Sequence, residues 1–381
     1  MTGSSPTSKS SSPKEVPHEQ TAPQEPAGQL EADEGNVRDD DSALGENDTG
    51  SSTASIASTI YKYRIENGRS YHAYKDGSYV GPNDNPEQER LDLQHALCLL
   101  TFDNQLFLAP LFQQDETLPI RVLDVGTGTG CWAIDFADEY PEATVIGIDL
   151  SPIQPAFVPP NVQFQIDDIE DDWTFSQPFD YIYTRFMTVS LANWQRFFGQ
   201  SFTNLNPGGW IEVVDILPPT SDDGTMSPDT ALHTWSKLLL EATEKMGRPF
   251  NETTSYKSQM EAAGFQNVTQ RVYKWPQNRW PKDPKYKELG SWTLENISSG
   301  LEGISSALFT RVLGWSKPQL DVFLTGVRKD LKNTSIHAYW PMIAILENCP
   351  SQDLAHDKSI PNFHGMHYDI TQTRENTNAA S

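Results

Sequence analysis

Between residues 119 and 217, short apolar runs alternate with stretches in which apolar residues recur every three or four positions. The runs at 120–125, 144–150, 162–166, 181–183 and 210–216 are rich in Val, Ile and Tyr, the form taken by strands that are covered on both faces. Between them, Ala133, Ile134, Phe136 and Ala137 within 131–140 share one helical face, as do Phe197, Phe198, Phe202 and Leu205 within 194–205. Strands and helices in alternation predict βαβ units and a mostly parallel sheet, hence a doubly wound, Rossmann-like α/β domain.

Ahead of this core, Asn85-Pro86-Glu87-Gln88 reads as a helix start, with Asn as the cap, Pro at the first position and Gln three residues after the cap. That helix is predicted to run to about Leu100. Beyond the core, Leu232, Trp235, Leu239 and Ala242 recur at helical spacing, followed by Leu301, Ile304, Leu308 and Val312, then Leu320, Phe323, Val327 and Leu331. These predict helical insertions near 226–250 and 280–334, set as a cap over the sheet. No internal repeat is visible.

Composition restricts the foldable part. Residues 1–58 hold no Phe, Tyr or Trp and are mostly Ser, Thr, Pro, Gly, Glu and Asp, too little apolar surface to offset the entropy of ordering. They predict a disordered acidic arm, 349–381 predicts a disordered polar tail, and 59–348 is the expected domain. The arm carries 3 Lys+Arg against 11 Asp+Glu, so 8 of the 24 net negative charges sit there and the remainder is still acidic. Nucleic acid is excluded as the expected partner, because phosphate binding draws on clustered Lys and Arg that this chain lacks. Cys98, Cys131 and Cys349 are too scattered for a zinc site or a disulfide framework, which fits a reducing compartment. The most apolar stretches, such as 340–346, are too short to cross a bilayer. An intracellular protein of cytoplasm or nucleus, without membrane contact, is the expectation.

The first strand ends in Asp124-Val125-Gly126-Thr127-Gly128-Thr129-Gly130, directly before a helix. Such a loop brings backbone N–H groups and a helix N-terminus up to a ligand, and glycine both clears the approach and permits positive φ. The second strand reaches Asp149 and Leu150, and a carboxylate there is placed to accept hydrogen bonds from two ribose hydroxyls. A nucleoside is therefore the implied ligand. A nicotinamide or flavin site is the rival, since Gly128-Thr129-Gly130-Cys131-Trp132-Ala133 satisfies the permissive G-x-G-x-x-A form. Asp124 weighs against it, because a carboxylate before the glycines suits an ammonium group and repels a pyrophosphate. Asp167, Asp168 and Ile169 close the third strand with an acceptor and backbone groups for an adenine edge, and Asn206-Pro207-Gly208-Gly209 reads as a turn into the fifth strand.

In this order, the acidic glycine loop, the ribose acid and the Pro-Gly-Gly turn resemble class I S-adenosylmethionine-dependent methyltransferases. Upstream, Tyr63-x-x-Glu66-Asn67-Gly68-Arg69-x-Tyr71-His72-x-Tyr74, Pro82-Asn83-Asp84 and Arg90-Leu91-Asp92-Leu93-x-His95 are similar to the fungal LaeA-like group, which includes regulators of secondary metabolism and natural-product methyltransferases. The likeness spans roughly 60–340, with Asp172-Trp173-Thr174-Phe175 and His337-Ala338-Tyr339-Trp340 inside it. It implies seven strands, with the sixth at 268–274 and a final antiparallel one at 335–346. It also implies S-adenosyl-L-methionine as cofactor, with Asp124, Gly126, Thr127, Gly128, Gly130, Asp149, Leu150, Asp167, Asp168, Ile169 and Arg185 as its contacts. The chain departs from the family where Ile345-Leu346-Glu347-Asn348-Cys349-Pro350 replaces a short basic Gly-Arg-Lys-like ending.

Methyl transfer is an in-line displacement that asks for alignment and exclusion of water, and requires no metal. A base would help a hydroxyl or amine acceptor, and His72, His95, Glu212 and Asp215 are candidates, each also readable as a packing residue. Arg185 either faces the pocket or pairs with a surface acid. Tyr61, Tyr63, Tyr71, Tyr74 and Tyr79 form either a lid or a hairpin on the sheet edge. Cys131 at a helix start is either a thiol of lowered pKa or a small packing residue. His364 and His367 read as solvated side chains. After the fourth strand, Tyr183-Thr184-Arg185-Phe186 stands where methylases of nucleic-acid bases carry an Asn/Asp-Pro-Pro-aromatic motif. Two functions follow: a methyltransferase acting on O, N or S of a small fungal metabolite, or a LaeA-like regulatory subunit working through protein partners. An NAD-type dehydrogenase stands third.

Overall fold

The computed structural model describes residues 63–350 apart from 73, 76–78 and 113–119. The expected arm, residues 351–381 of the expected tail, Tyr61, His364 and His367 lie outside the described residues, whereas Cys349, placed in the tail by the sequence, is buried and hydrogen-bonded to Gly208 and Gly209. The alternating core folds as one seven-stranded sheet built from β3 (Arg121–Val125), β4 (Thr144–Asp149), β5 (Val162–Ile166), β6 (Phe179–Arg185), β7 (Leu205–Ile216), β8 (Gln266–Pro276) and β9 (Tyr339–Asn348). Its order is β5-β4-β3-β6-β7-β9-β8. The first five are parallel, and β9 enters antiparallel between β7 and β8. The order reverses beside β3, so the carboxyl ends of β3 and β6 frame a crevice where ligands gather in such sheets.

Helices cover both faces, as continuous apolar strands demand. On one face α1 (Asn85–Thr101), α2 (Cys131–Glu139) and the added helices α4 (Ala231–Lys245), α6 (Pro284–Ala307) and α7 (Lys317–Lys332) share a core with Val122, Val145, Tyr181, Val214 and Trp340. On the other, α3 (Trp194–Thr203) and α5 (Tyr256–Ala263) pack Trp194, Phe198 and Met260 against Leu123, Ile182, Val213 and Ile343. The added helices thus complete one layer of the sandwich.

Several boundaries differ from the sequence reading for identifiable reasons. The α1 cap is Asp84, not Asn85: its carboxylate accepts from Glu87 N–H at 3.2 Å and pairs with Arg69, so Asn85 is already helical. Leu205 leaves the α3 face and opens β7. Asn206-Pro207-Gly208-Gly209 is absorbed into that strand, because Gly208 N–H donates to the Cys349 carbonyl and Gly209 accepts from Cys349 N–H. The last strand begins at Tyr339 rather than 335 and continues to Asn348 without the basic ending.

Before α1, β1 (Arg64–Glu66) and β2 (Arg69–Tyr71) form a hairpin whose two-residue turn, Asn67-Gly68, takes φ of 52° and 81°. Asn-Gly is the pair best suited to that turn. Arg311 binds Glu66 at 3.0 Å and lies 4.6 Å from the Tyr71 ring, while a Cβ at Gly303 of α6 would stand 3.0 Å from Arg69. The hairpin therefore leans on α6 and the turn that follows it, and the tyrosines divide: Tyr71 packs in the hairpin, whereas Tyr79 reaches the crevice.

Candidate cofactor site

The crevice at the strand ends is a cavity whose empty space, open mouth included, is about 1080 Å³. Its floor is the glycine loop. Gly126, Gly128 and Gly130 take φ of 72°, 58° and 84°, in the left-handed region where a side chain is strained. The sequence reading held that glycine clears space for a ligand. In the folded chain a Cβ at Gly126 would come within 2.3 Å of Met187 Sδ, and one at Gly130 within 2.4 Å of the Phe164 ring; at Gly128 the nearest atom is Leu91 Cδ1 at 3.5 Å. Close packing fixes the outer two glycines, and backbone conformation fixes the middle one.

Asp149 is oriented by two backbone N–H groups, Gly128 at 2.9 Å and Ser151 at 2.8 Å, one on each carboxylate oxygen. Burial raises its pKa, opposed by these bonds and by nearby His72. It lines the cavity with Leu150, Thr127, Asp167, Asp168 and Ile169, so the residues read from the first three strand ends converge. Asp124 does not reach the wall. It lies 3% exposed beneath the loop and accepts the Thr127 hydroxyl at 2.5 Å; burial pushes its pKa up to about 6, against that bond and the charge of Arg185.

Arg185 lines the cavity at the end of β6. Burial discourages its charge, but Tyr183, Cys98, Asp124 and Cys131 more than offset this and hold its pKa above the usual arginine value. Phe186, the next residue, has φ of 54°, rare for a bulky side chain, and also lines the cavity. Among the base candidates, His95 lines the cavity, with Nε2 at 2.8 Å from Asp135. His72 is buried behind the wall.

Glu212 and Asp215 are corrections: neither lines the cavity. Glu212 Oε2 accepts Leu108 N–H and Ala109 N–H, each at 2.8 Å, and the Tyr181 hydroxyl at 3.0 Å. Asp215 accepts Thr188 N–H at 2.7 Å and the Tyr256 hydroxyl at 3.1 Å. Both are 1% exposed or less, and burial drives each pKa up to about 7. They anchor loops. Cys131 is also settled: burial and its hydrogen bond to Asp92 push the thiol up to about 11, so it is a packing residue.

Residues that the sequence reading did not assign to the site include Leu91 and Gln94, which with His95 form one face of α1, and Asn83, Met187 and Leu191. The spacing of 91, 94 and 95 was a signal for the first group. Asn83 stood within the Pro82-Asn83-Asp84 segment of the family likeness without a role assigned to it, and Met187, in a loop, gave no signal.

The family model described as "Methyltransferase domain" matches residues 93–270. Methyltransferase pytC of Aspergillus terreus is 40% identical over 305 residues, covering 80% of this chain and 93% of the relative. The chain belongs to this methyltransferase family. Secondary metabolism regulator LAE1 of Cochliobolus heterostrophus, 39% identical over 280 residues, covers 72% of this methyltransferase and is itself covered to 91%. Catalytic and regulatory relatives thus share the fold of this S-adenosylmethionine-dependent methyltransferase, and the dehydrogenase reading falls. Among the described residues no helix is long and apolar enough to cross a membrane, and no cluster of His, Cys, Asp and Glu could hold a metal.

Proposed function

We propose that the crevice holds S-adenosyl-L-methionine and that the protein transfers its methyl group to oxygen, nitrogen or sulfur of a small fungal metabolite. The observation that carries this is Asp149: a carboxylate oriented by two backbone N–H groups, with lone pairs left beside a cavity, suits a vicinal diol. In this reading Asp149 and Leu150 take the ribose, Asp167, Asp168 and Ile169 the adenine, and the loop Gly126–Gly130 with Arg185 the amino-acid part. Asp124 acts on the ammonium from beneath Thr127. When bound, the cofactor supplies a methyl group on sulfonium sulfur, ready for in-line displacement. The chain's own part is to align, to exclude water through Phe186, Met187 and Leu191, and to receive the acceptor's proton on His95, whose ring is fixed by Asp135.

The kinship with LAE1 favours a second reading, in which the same domain, bounded by about 59–348, serves a regulatory complex in cytoplasm or nucleus. Titration calorimetry of the full chain with S-adenosylmethionine tests the shared premise, and S-adenosylhomocysteine release in a fungal metabolite extract separates the two. Binding with turnover supports the catalyst, and binding without turnover the regulator. Absence of binding refutes both.

A further inference from the structure

One polar side chain in the chain before α1 lines the cavity and lacks half of its partners. Asn83 is 4% exposed. Its Oδ1 accepts the Ser70 hydroxyl at 2.8 Å, and its backbone N–H donates to the Ser70 carbonyl, yet Nδ2 has no partner. Buried polar groups in folded proteins are mostly paired, so an unpaired donor on a side chain that lines a cavity calls for a ligand.

The surroundings hold this side chain in place. Arg69 grips the Asp84 cap at 2.6 Å beside Asn83, and Lys75 bridges to Asp168 at 2.8 Å and Asp171 at 2.5 Å, fastening this stretch to the loop that follows β5. Asn83 and Asp149 line the same cavity.

We infer that Asn83 is a further binding residue of the site, its carboxamide donating to the adenosine part of the ligand, in addition to Asp149. This rests on the cofactor reading above and assigns it a second wall that comes from outside the α/β core.

The test is calorimetric titration of full-length wild type and Asn83→Asp with adenosine and with S-adenosylhomocysteine. Asn83→Asp retains an acceptor for Ser70 and removes the donor. The variant is expected to lose about tenfold in affinity, one hydrogen bond's worth, and equally for both ligands. Unchanged affinity overturns the inference, and so does a loss confined to S-adenosylhomocysteine, which would place Asn83 at the amino-acid end. Should the variant fail to fold, the wild type decides: in ¹⁵N–¹H spectra of asparagine-labelled protein, the Asn83 carboxamide signals must move when adenosine is added. Stationary signals refute the assignment. If wild type binds neither ligand, the cofactor reading itself fails and takes this one with it.

Discussion

On the β3–β4 side of the sheet, Asp149 has one backbone N–H on each oxygen and a cavity beside it; on the β7 side, Glu212 places three donors on a single oxygen and Asp215 binds a loop N–H and a tyrosine, and neither lines that cavity. Burial raises the pKa of all of them. A perturbed carboxylate is therefore not by itself a mark of chemistry here. Glu212 also keeps an oxygen without a partner, Oε1, so free lone pairs do not separate the groups; the open cavity beside Asp149 does.

That contrast can be broken most forcefully at Glu212. Glu212→Ala strands two N–H groups and a buried hydroxyl, and denaturant unfolding should record a loss of roughly 3 kcal/mol or more. Asp149→Ala should do the opposite, leaving stability nearly unchanged while S-adenosylmethionine affinity falls by about 2 kcal/mol in calorimetry. Equal stability losses in the two variants would erase the distinction.

A subtler test uses pH. Glu212 and Asp215 have folded pKa values of about 7, above their ordinary unfolded range, so the folded state holds more protons between that range and neutrality. Their stabilising contribution is complete at low pH and is lost as pH rises through about 7. Glu212→Gln should flatten the decline in stability between about pH 5 and 7, and an unaltered slope would show that the group does not titrate there. Smallest of all, Thr127→Val removes the hydroxyl over Asp124 and should cost about 1 kcal/mol in thermal or chemical unfolding.

The parallel half of the fold was legible because its strands are short segments rich in Val, Ile, Phe and Tyr and each helix between them has one apolar face; β5 matches its predicted bounds. The site residues at the ends of β3, β4 and β5 followed from that order, since topology alone brings those ends together. Legibility failed where a side chain's role depends on distant partners. Glu212 looked like a base because polarity near a strand end is visible in sequence, whereas the Leu108 and Ala109 N–H groups that consume it lie over a hundred positions away. The Asp84 cap was hidden because Asn85 is an equally good capping residue, and Arg69 tips the choice from another element. Asn83 gave no signal of its own, since its significance is an unmet hydrogen bond.

One consequence of the strand order concerns synthesis rather than ligands. Among the described strands β9 is made last, yet it sits inside the sheet and supplies the partner for β7 on one side and β8 on the other. While the nascent chain is still short of residue 339, β7 has an open edge and β8 has two, each with unpaired backbone groups able to pair with another chain. Residues 339–348 therefore work as a closing wedge, and a ribosome that stops before them releases a five-stranded sheet ending at β7 with β8 cut off from it.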